Sequence, residues 1–230
     1  MSTPPSPTAR GALTPSSLQQ QFIGIAGLIG AGKSTLAAAL GEHLGLPVYY
    51  EPVADNAYLA DFYKAPDRYG FQMQIYLLNR RFQQHQEIIW RGQGGVQDRT
   101  IYEDAIFAKT LMQQGMIDAR DYDTYLQLFK HMSHFMCRPN LIIYLDLTPE
   151  RSLERIKLRA RDVEAGIPID YLRLLHQGYE EFIADIARSI PVIRVPWDEF
   201  QETSAVVERV QEVYTQGSFL RDVHWRPSQG

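Results

Sequence analysis

The sequence predicts an α/β protein built on a five-stranded parallel sheet with helices on both faces. Five short apolar segments alternate with longer segments of helical periodicity, as in sheets whose parallel strands are joined by crossover helices. The predicted strands are residues 22–26, 48–51, 95–98, 141–147 and 192–195. The predicted helices are residues 34–44, 67–91, 101–113, 119–136, 149–161 and 171–189.

The composition indicates one globular domain that follows a short tail. The chain has 230 residues, of which 45% are hydrophobic and 22% charged, enough to bury one sizeable core. Residues 1–20 are rich in Pro, Ser and Thr and contain few large apolar side chains, so we expect a disordered tail there. Residues 21–230 are then the folded domain.

Net charge and cysteine content indicate which kinds of binding partner and which cellular compartment to expect. A net charge of −4 provides no basic field for holding a polynucleotide backbone. Cys137 is the only cysteine, which excludes an internal disulfide and suits a reducing compartment. No apolar segment approaches the roughly 20 residues of a membrane span. We therefore expect a cytoplasmic protein that binds small molecules and neither polynucleotides nor membranes.

A phosphate-binding loop lies between the first predicted strand and the first predicted helix. Residues 27–35 read GLIGAGKST and match the pattern G-x-x-x-x-G-K-[ST] in the required context. In such a loop the backbone N–H groups face phosphates, the lysine reaches the β- and γ-phosphates, and the serine hydroxyl binds Mg²⁺. The sequence thus predicts a nucleoside triphosphate and Mg²⁺ as ligands of Gly27, Gly30, Gly32, Lys33, Ser34 and Thr35.

Two aspartates end predicted strands and compete for the role of magnesium-ordering acid. Asp98 is followed at once by Arg99, a cation suited to phosphoryl charge, whereas Asp146 leads into the start of the helix at residue 149. We therefore assign the metal to Ser34 and Asp98. A purely structural Asp98 that caps the next helix is the alternative.

Glu51 follows the second predicted strand, at the edge of a parallel sheet where ligands of such folds bind. A carboxylate there can accept the proton of an attacking hydroxyl. Between Lys33 and Arg68 the only lysine or arginine is Lys64, so we expect no arginines beside Glu51 and a neutral alcohol as the phosphoryl acceptor. The alternative is a glutamate that has only a structural role.

Further motifs resemble the deoxyribonucleoside kinase family, specifically its bacterial deoxyadenosine/deoxyguanosine branch. The resemblance runs from residue 23 to about residue 200 and rests on several segments together. These are GLIGAGKST at 27–35, EPV at 51–53, YKAPDRYGFQMQ at 63–74, DRTIYED at 98–104 and RIKLRARDVE at 155–164. It implies a P-loop kinase fold with an arginine-bearing lid at about residues 155–168.

On the acceptor side, the resemblance implies a role for each matching residue. Glu51 matches the general base for the 5′-hydroxyl, and Arg99 matches the arginine that binds that region and stabilises developing charge; with Lys33 they form the implied catalytic set. Tyr63 and Glu164 match the pair that holds the sugar 3′-hydroxyl.

For the nucleobase and the donor, the resemblance implies two further groups. Gln74 matches the amide that forms paired hydrogen bonds with the base, while Arg81 and Asp104 match a charged pair at the far edge of the base. Arg81 lies two helical turns after Gln74, so both can face one pocket. In the family, a lid that carries arginines closes over the donor phosphates, and these arginines are matched here by Arg155, Arg159 and Arg161.

The reaction that this resemblance implies is ATP-dependent phosphorylation of the 5′-hydroxyl of a deoxyribonucleoside in nucleotide salvage. Deoxyadenosine or deoxyguanosine is favoured as substrate, and a homodimer with its interface around residues 101–136 is expected. The alternatives are an enzyme that prefers deoxycytidine or thymidine, a nucleoside monophosphate kinase of the thymidylate type, and a regulatory P-loop NTPase.

Overall fold

The computed structural model describes residues 20–51, 56–159, 166–199, 201–215 and 223–224. Its strands form one parallel sheet in the order β2-β3-β1-β4-β5-β6. They are β1 (Phe22–Gly27), β2 (Val48–Tyr49), β3 (Gly95–Asp98), β4 (Leu141–Asp146), β5 (Val192–Pro196) and β6 (Val223–His224). All five predicted strands are confirmed, and the two-residue β6 is added at the edge beside β5.

Helices flank this sheet on both faces. They are α1 (Lys33–Leu44), α2 (Leu59–Lys64), α3 (Pro66–Arg91), α4 (Asp104–Gln113), α5 (Ala119–Ser133), α6 (Pro149–Arg159), α7 (Ile169–Ile186) and α8 (Thr203–Thr215), with a 3-10 turn at Ile101–Glu103 before α4. Two helices were not predicted: α2, which is short, and α8, whose buried valines Val206, Val210 and Val213 follow a helical period. Helix α5 also ends earlier than the predicted residue 136.

Two apolar cores lie on opposite faces of the sheet. One face packs Ile23, Ile143 and Val195 against α1 and α8. The other face packs Ile142 and Tyr144 against α6 and α7. The central strands are buried on both faces, which is why they read as continuous apolar runs. Among the described residues, no helix combines the length and the apolar character that crossing a membrane requires.

Helix α3 is tied to the segment after α5 by a buried histidine. His85 is fully buried, and its Nε2 donates to the carbonyl oxygen of Cys137 at 2.7 Å while its ring meets Phe22 edge-on at 4.9 Å. Burial lowers the pKa of His85 to about 4, although the bond to the carbonyl acts in the opposite direction. The imidazole is therefore neutral at physiological pH.

We expect this histidine to make the protein less stable in acid. Because the folded-state pKa lies below the unfolded value, the native state binds fewer protons between pH 4 and 6.5, and stability falls as the pH drops through that window. The contribution is on the order of 3 kcal/mol at most. Urea unfolding at pH 6.5 and 4.5 should show a smaller loss for His85→Gln than for the wild type; equal losses would contradict the assignment.

Candidate active site

The phosphate loop runs from the end of β1 into α1. Gly32 precedes the helix with φ 83°, a left-handed conformation that glycine adopts without a steric cost. Lys33 is buried, and its Nζ donates to the carbonyl oxygens of Gly27 at 3.0 Å and Leu28 at 2.8 Å, so the loop curls around its own lysine. Burial, and then the charge of Arg99, lower the pKa of Lys33 to about 8.

Ser34 and Asp98 meet beside this loop. The Ser34 hydroxyl donates to Asp98 Oδ2 at 2.5 Å, and the other carboxylate oxygen, Oδ1, is buried without a hydrogen-bond partner among the described residues. Oxygen ligands of this kind are those that Mg²⁺ prefers, usually together with substrate phosphates. The pair therefore fits the predicted magnesium site, with Asp98 Oδ1 free to act as a ligand or to hold a metal-bound water.

Asp146, the competing aspartate, belongs to a different cluster. Its Oδ2 accepts from Arg194 Nη1 at 3.1 Å, and its Oδ1 lies 3.8 Å from His176 Nε2. Asp146, His176 and Glu180 bring potential ligand atoms within 4.8 Å of one another. Arg194 also donates to Glu180 at 2.8 Å, so a guanidinium supplies the positive charge of this cluster, and we assign no metal to it.

One cavity of about 680 Å³ opens above the carboxyl ends of β1, β2 and β3. It joins the phosphate loop to most of the residues predicted for the acceptor. The predicted residues that line it are Gly30, Gly32, Lys33, Ser34, Thr35, Glu51, Tyr63, Gln74, Arg81, Asp98, Arg99 and Arg159. Gly27, Asp104 and Arg155 are not among its lining residues; Gly27 lies behind the loop, where its carbonyl accepts from Lys33.

Glu51 is held by two arginines at the mouth of β2. Arg81 Nη2 donates to Glu51 Oε1 at 2.6 Å, and Arg99 Nε lies 3.2 Å from the same oxygen. Burial would raise the pKa of Glu51, but Arg99, Arg81 and Lys33 together lower it to about 2. Glu51 is about a quarter exposed and faces the cavity as a carboxylate that is ionised at neutral pH.

The expectation that Glu51 has no arginine beside it is therefore wrong. Arg81 comes from α3, 30 residues further along the chain, and Arg99 follows β3, so both reach Glu51 only through the tertiary fold. Both arginines are already paired with carboxylates, because Arg81 also binds Asp104 and Arg99 lies 3.9 Å from Glu103. Carboxylates therefore largely compensate the positive charge of both arginines. A site that binds a phosphorylated acceptor would need arginines whose charge is available to the phosphate.

Asp104 lies behind the cavity wall, where it contacts Arg81, which lines the cavity. The two side chains form a hydrogen-bonded ion pair, and each residue is 1% exposed. Burial raises the pKa of Asp104 to about 7, while Arg81 opposes that rise. The second carboxylate oxygen, Oδ2, is buried without a partner among the described residues. The pair can therefore offer a donor and an acceptor side by side.

Gln74 and Tyr63 complete the acceptor side of the cavity. Gln74 is 3% exposed, and its Oε1 is buried without a hydrogen-bond partner among the described residues. A ligand that supplies a hydrogen-bond donor could satisfy a buried amide in this state. Tyr63, on α2, packs edge-on against Phe62 at 5.3 Å. Apolar residues that the sequence did not single out close the cavity around them: Ile29, Leu59, Phe62, Leu77, Phe107 and Tyr171.

The described lid arginines differ in their contacts. Arg159 lines the cavity. Arg155, one turn earlier on α6, instead donates to the Trp197 carbonyl at 2.6 Å and approaches the Ala31 carbonyl at 3.5 Å, which ties α6 to the phosphate loop. Arg161 and Glu164 lie outside the described residues.

Arg99 has two further partners that sequence analysis missed. Its Nη1 donates to the Tyr179 hydroxyl at 2.6 Å, and that hydroxyl donates to Glu103 at 2.8 Å. A signal for Glu103 was available, because Thr100 and Glu103 have the spacing of a capping box and form one. Tyr179 had no such signal, since it lies in the apolar stripe of α7 and is typical of a core residue.

Comparison with known proteins identifies the family. The family model described as deoxynucleoside kinase matches residues 23–216. A deoxyadenosine kinase of Dictyostelium discoideum is 55% identical over 214 residues, covering 93% of this chain and 87% of that protein. A deoxyadenosine/deoxycytidine kinase of Bacillus subtilis is 37% identical over 185 residues, covering 79% and 85%.

Solved structures give the same result at the level of the fold. Deoxyadenosine kinase from M. mycoides with bound dCTP superposes with a TM-score of 0.75 at 30% identity, covering 84% of this chain and 98% of that one. The same enzyme with bound dATP superposes with a TM-score of 0.76. This chain therefore belongs to the deoxynucleoside kinase family, and it is a P-loop kinase that phosphorylates a nucleoside to the monophosphate.

Proposed function

We propose that the enzyme transfers the γ-phosphoryl group of ATP to the 5′-hydroxyl of a purine deoxynucleoside. The observation that carries this proposal is the lining of the cavity. A phosphate loop opens into the same space as an ionised Glu51 and the amide oxygen of Gln74, which has no hydrogen-bond partner within the described part of the chain. The amide lies beyond the reacting carboxylate and lacks a hydrogen-bond partner there. A nucleobase carried by the same sugar as the accepting hydroxyl would supply that partner.

In the proposed mechanism, positioning and charge supply most of the rate. The transition state of phosphoryl transfer is loose, so the protein mainly aligns the reactants and stabilises charge on the transferring group. Lys33 and Arg99 provide cationic donors near that group, and Glu51 orients the hydroxyl and accepts its proton. Mg²⁺, held through Ser34 and Asp98, would neutralise charge on the donor phosphates.

Base recognition is proposed to involve Gln74 and the Arg81–Asp104 pair. Together they can present hydrogen-bond donors and acceptors to a base that carries an amino or an oxo group. The Dictyostelium discoideum relative named deoxyadenosine kinase, at 55% identity, supports a purine. Deoxycytidine is the second candidate, because the Bacillus subtilis relative is named deoxyadenosine/deoxycytidine kinase.

A coupled ATP assay with the four deoxynucleosides and their monophosphates tests this proposal. Turnover with deoxyadenosine or deoxyguanosine, and none with monophosphates, is the expected result. A preference for deoxycytidine or thymidine would overturn the purine assignment alone. Turnover with monophosphates only, or ATP hydrolysis that no acceptor stimulates, would overturn the proposed reaction.

Replacement of Gln74 by alanine should raise the KM for the deoxynucleoside and leave the affinity for ATP unchanged. Loss of the amide leaves the edge of the base unpaired, at a cost of about 1–3 kcal/mol, or roughly 5- to 150-fold in KM. Gln127→Ala is a control, because Gln127 is exposed on α5 and its side chain donates to Asp123, away from the cavity. If Gln74→Ala weakened both ligands equally, a folding defect would explain the result instead.

The remaining sites and the assembly are also proposals. Arg159 lines the cavity, which supports a lid that places it, with Arg161, over the donor phosphates. Glu164 is proposed to bind the 3′-hydroxyl with Tyr63. A homodimer is proposed from exposed apolar side chains near the expected interface, since Leu128 is 41% and Phe135 79% exposed. Sedimentation equilibrium of the whole chain measures this directly.

A further inference from the structure

We propose that Tyr179 and Glu103 are positioning residues that hold the guanidinium of Arg99 against Glu51. The proposal rests on the proposed role of Arg99 at the accepting hydroxyl. Neither residue lines the cavity, and both are 0% exposed. They act on the reaction through Arg99, whose Nη1 contacts Tyr179 while its Nε faces Glu51.

The direction of these hydrogen bonds follows from their chemistry. A guanidinium can only donate, so the Tyr179 hydroxyl accepts from Arg99 at 2.6 Å. The Tyr179 hydroxyl in turn donates a hydrogen bond of 2.8 Å to Glu103 Oε2. One ordered chain therefore runs from Glu103 through Tyr179 to Arg99. Beyond this chain of hydrogen bonds, Arg99 forms an ion pair with Glu51, with Nε 3.2 Å from Oε1 but not in hydrogen-bonding geometry.

Glu103 is itself immobilised at the far end of this chain. Its Oε1 accepts from the Thr100 backbone N–H at 2.9 Å and lies 3.3 Å from the Thr100 hydroxyl. Its Oε2 lies 3.9 Å from Arg99 Nη1, so it also supplies a buried negative charge opposite the guanidinium. Both oxygens of Glu103 are thus committed to partners, as a buried carboxylate requires.

Arg99 also has an unusual backbone conformation at the start of the segment that follows β3. Its φ is 67°, in the left-handed region that non-glycine residues adopt at a cost of about 1 kcal/mol or more. The backbone N–H of Arg99 donates to the carbonyl oxygen of Ile25 at 3.0 Å, which holds this conformation. The guanidinium carbon lies 4.4 Å from the centre of the Phe107 ring. Phe107 thus packs against the guanidinium, and Tyr179 accepts a hydrogen bond from its Nη1.

Helix α7 is packed so that the Tyr179 hydroxyl reaches Arg99. Gly178 lets α7 approach α4 closely, because a Cβ at that position would lie 2.5 Å from Ile106 Cγ2. The Tyr179 ring also stacks on Tyr144 with centroids 5.7 Å apart and an interplanar angle of 18°. The ring is therefore held by packing, and its hydroxyl can be removed without releasing the helix.

Tyr179→Phe is the decisive variant, because it removes only the hydroxyl. We expect kcat to fall by about 10-fold, since one hydrogen bond to a charged group is lost, with the KM for ATP within about twofold of the wild type. Tyr144→Phe is the matched control, because it removes a buried tyrosine hydroxyl that bonds to Glu180 instead. Glu103→Gln is a second probe, because glutamine can keep the capping box with Thr100 while removing the charge.

A double-mutant cycle with Arg99→Lys separates positioning from general stabilisation. Arg99→Lys should reduce kcat by about 100-fold, and Tyr179→Phe should then add no further loss in that background. An equal loss from Tyr179→Phe in both backgrounds would overturn the proposal, as would an unchanged kcat in Tyr179→Phe or a loss matched by Tyr144→Phe. If Arg99→Lys itself left kcat unchanged, the proposed role of Arg99 would fail, and this proposal with it.

Discussion

Replacement of Glu51 by glutamine is expected to lower kcat by about 10²-fold or more, with little change in the KM for the nucleoside. Glutamine keeps an acceptor for Arg81, which now bonds to Glu51 at 2.6 Å, and so preserves the wall of the cavity. What is lost is the negative charge that orients and deprotonates the accepting hydroxyl. An unchanged kcat in steady-state kinetics would refute the assignment of Glu51 as the base.

The lowered pKa of Glu51 adds a second expectation to that experiment. With a pKa of about 2, the carboxylate stays ionised across the physiological range, so its protonation should not reduce kcat between pH 5 and 8. Such a carboxylate is a weak base, which suits a loose transition state in which the proton leaves late. Glu180→Gln is the matched control, since Glu180 pairs with Arg194 and does not line the cavity.

Replacement of Arg81 by methionine is expected to destabilise the protein by about 3–5 kcal/mol at pH 8. Arg81 is 1% exposed and binds both Asp104 and Glu51, so its loss leaves Asp104 buried without its cation. Asp104, whose pKa is already raised to about 7, can escape this cost by taking up a proton. The loss of stability measured by urea unfolding should therefore be smaller at pH 6 than at pH 8.

Two comparisons make the Arg81 experiment specific. The double variant Arg81→Met/Asp104→Asn should recover part of the lost stability, because it removes the uncompensated charge. Arg173→Met should leave the stability almost unchanged, since the ion pairs that Arg173 forms with Glu150 and Asp170 are exposed. A small, pH-independent loss in Arg81→Met would show that the buried ion pair does not stabilise the fold.

The central strands and the phosphate loop could be predicted because their signals are local. β1 and β4 are apolar runs, and β3 begins at the end of the glycine-rich segment 92–95. Residues 27–35 form a loop whose chemistry depends only on neighbouring backbone groups. The choice of Asp98 over Asp146 also followed from adjacent residues, and Asp98 is the aspartate that contacts Ser34. Helix α2 was missed because six residues are too few to establish a period.

The acceptor side could be predicted residue by residue only through resemblance to the family. Gln74 and Arg81 share a face of α3, which spacing alone indicates, but nothing local shows that this face meets Glu51. The absence of arginines near Glu51 along the chain led to a wrong expectation about its surroundings. Arg81 and Arg99 reach it across the sheet edge and lower its pKa, an effect that depends on distance in space.

By itself, the sequence determined the α/β class, the positions of the five principal strands along the chain and the triphosphate-binding loop, because periodicity and backbone geometry act over a few residues. Only the tertiary structure decided how charge is distributed around the reacting carboxylate. Electrostatic interactions and hydrogen bonds depend on separations of a few ångströms between distant segments. Tyr179 illustrates the difference: on α7 it is one more buried aromatic residue, and only the packing of α7 against α4 brings its hydroxyl to Arg99.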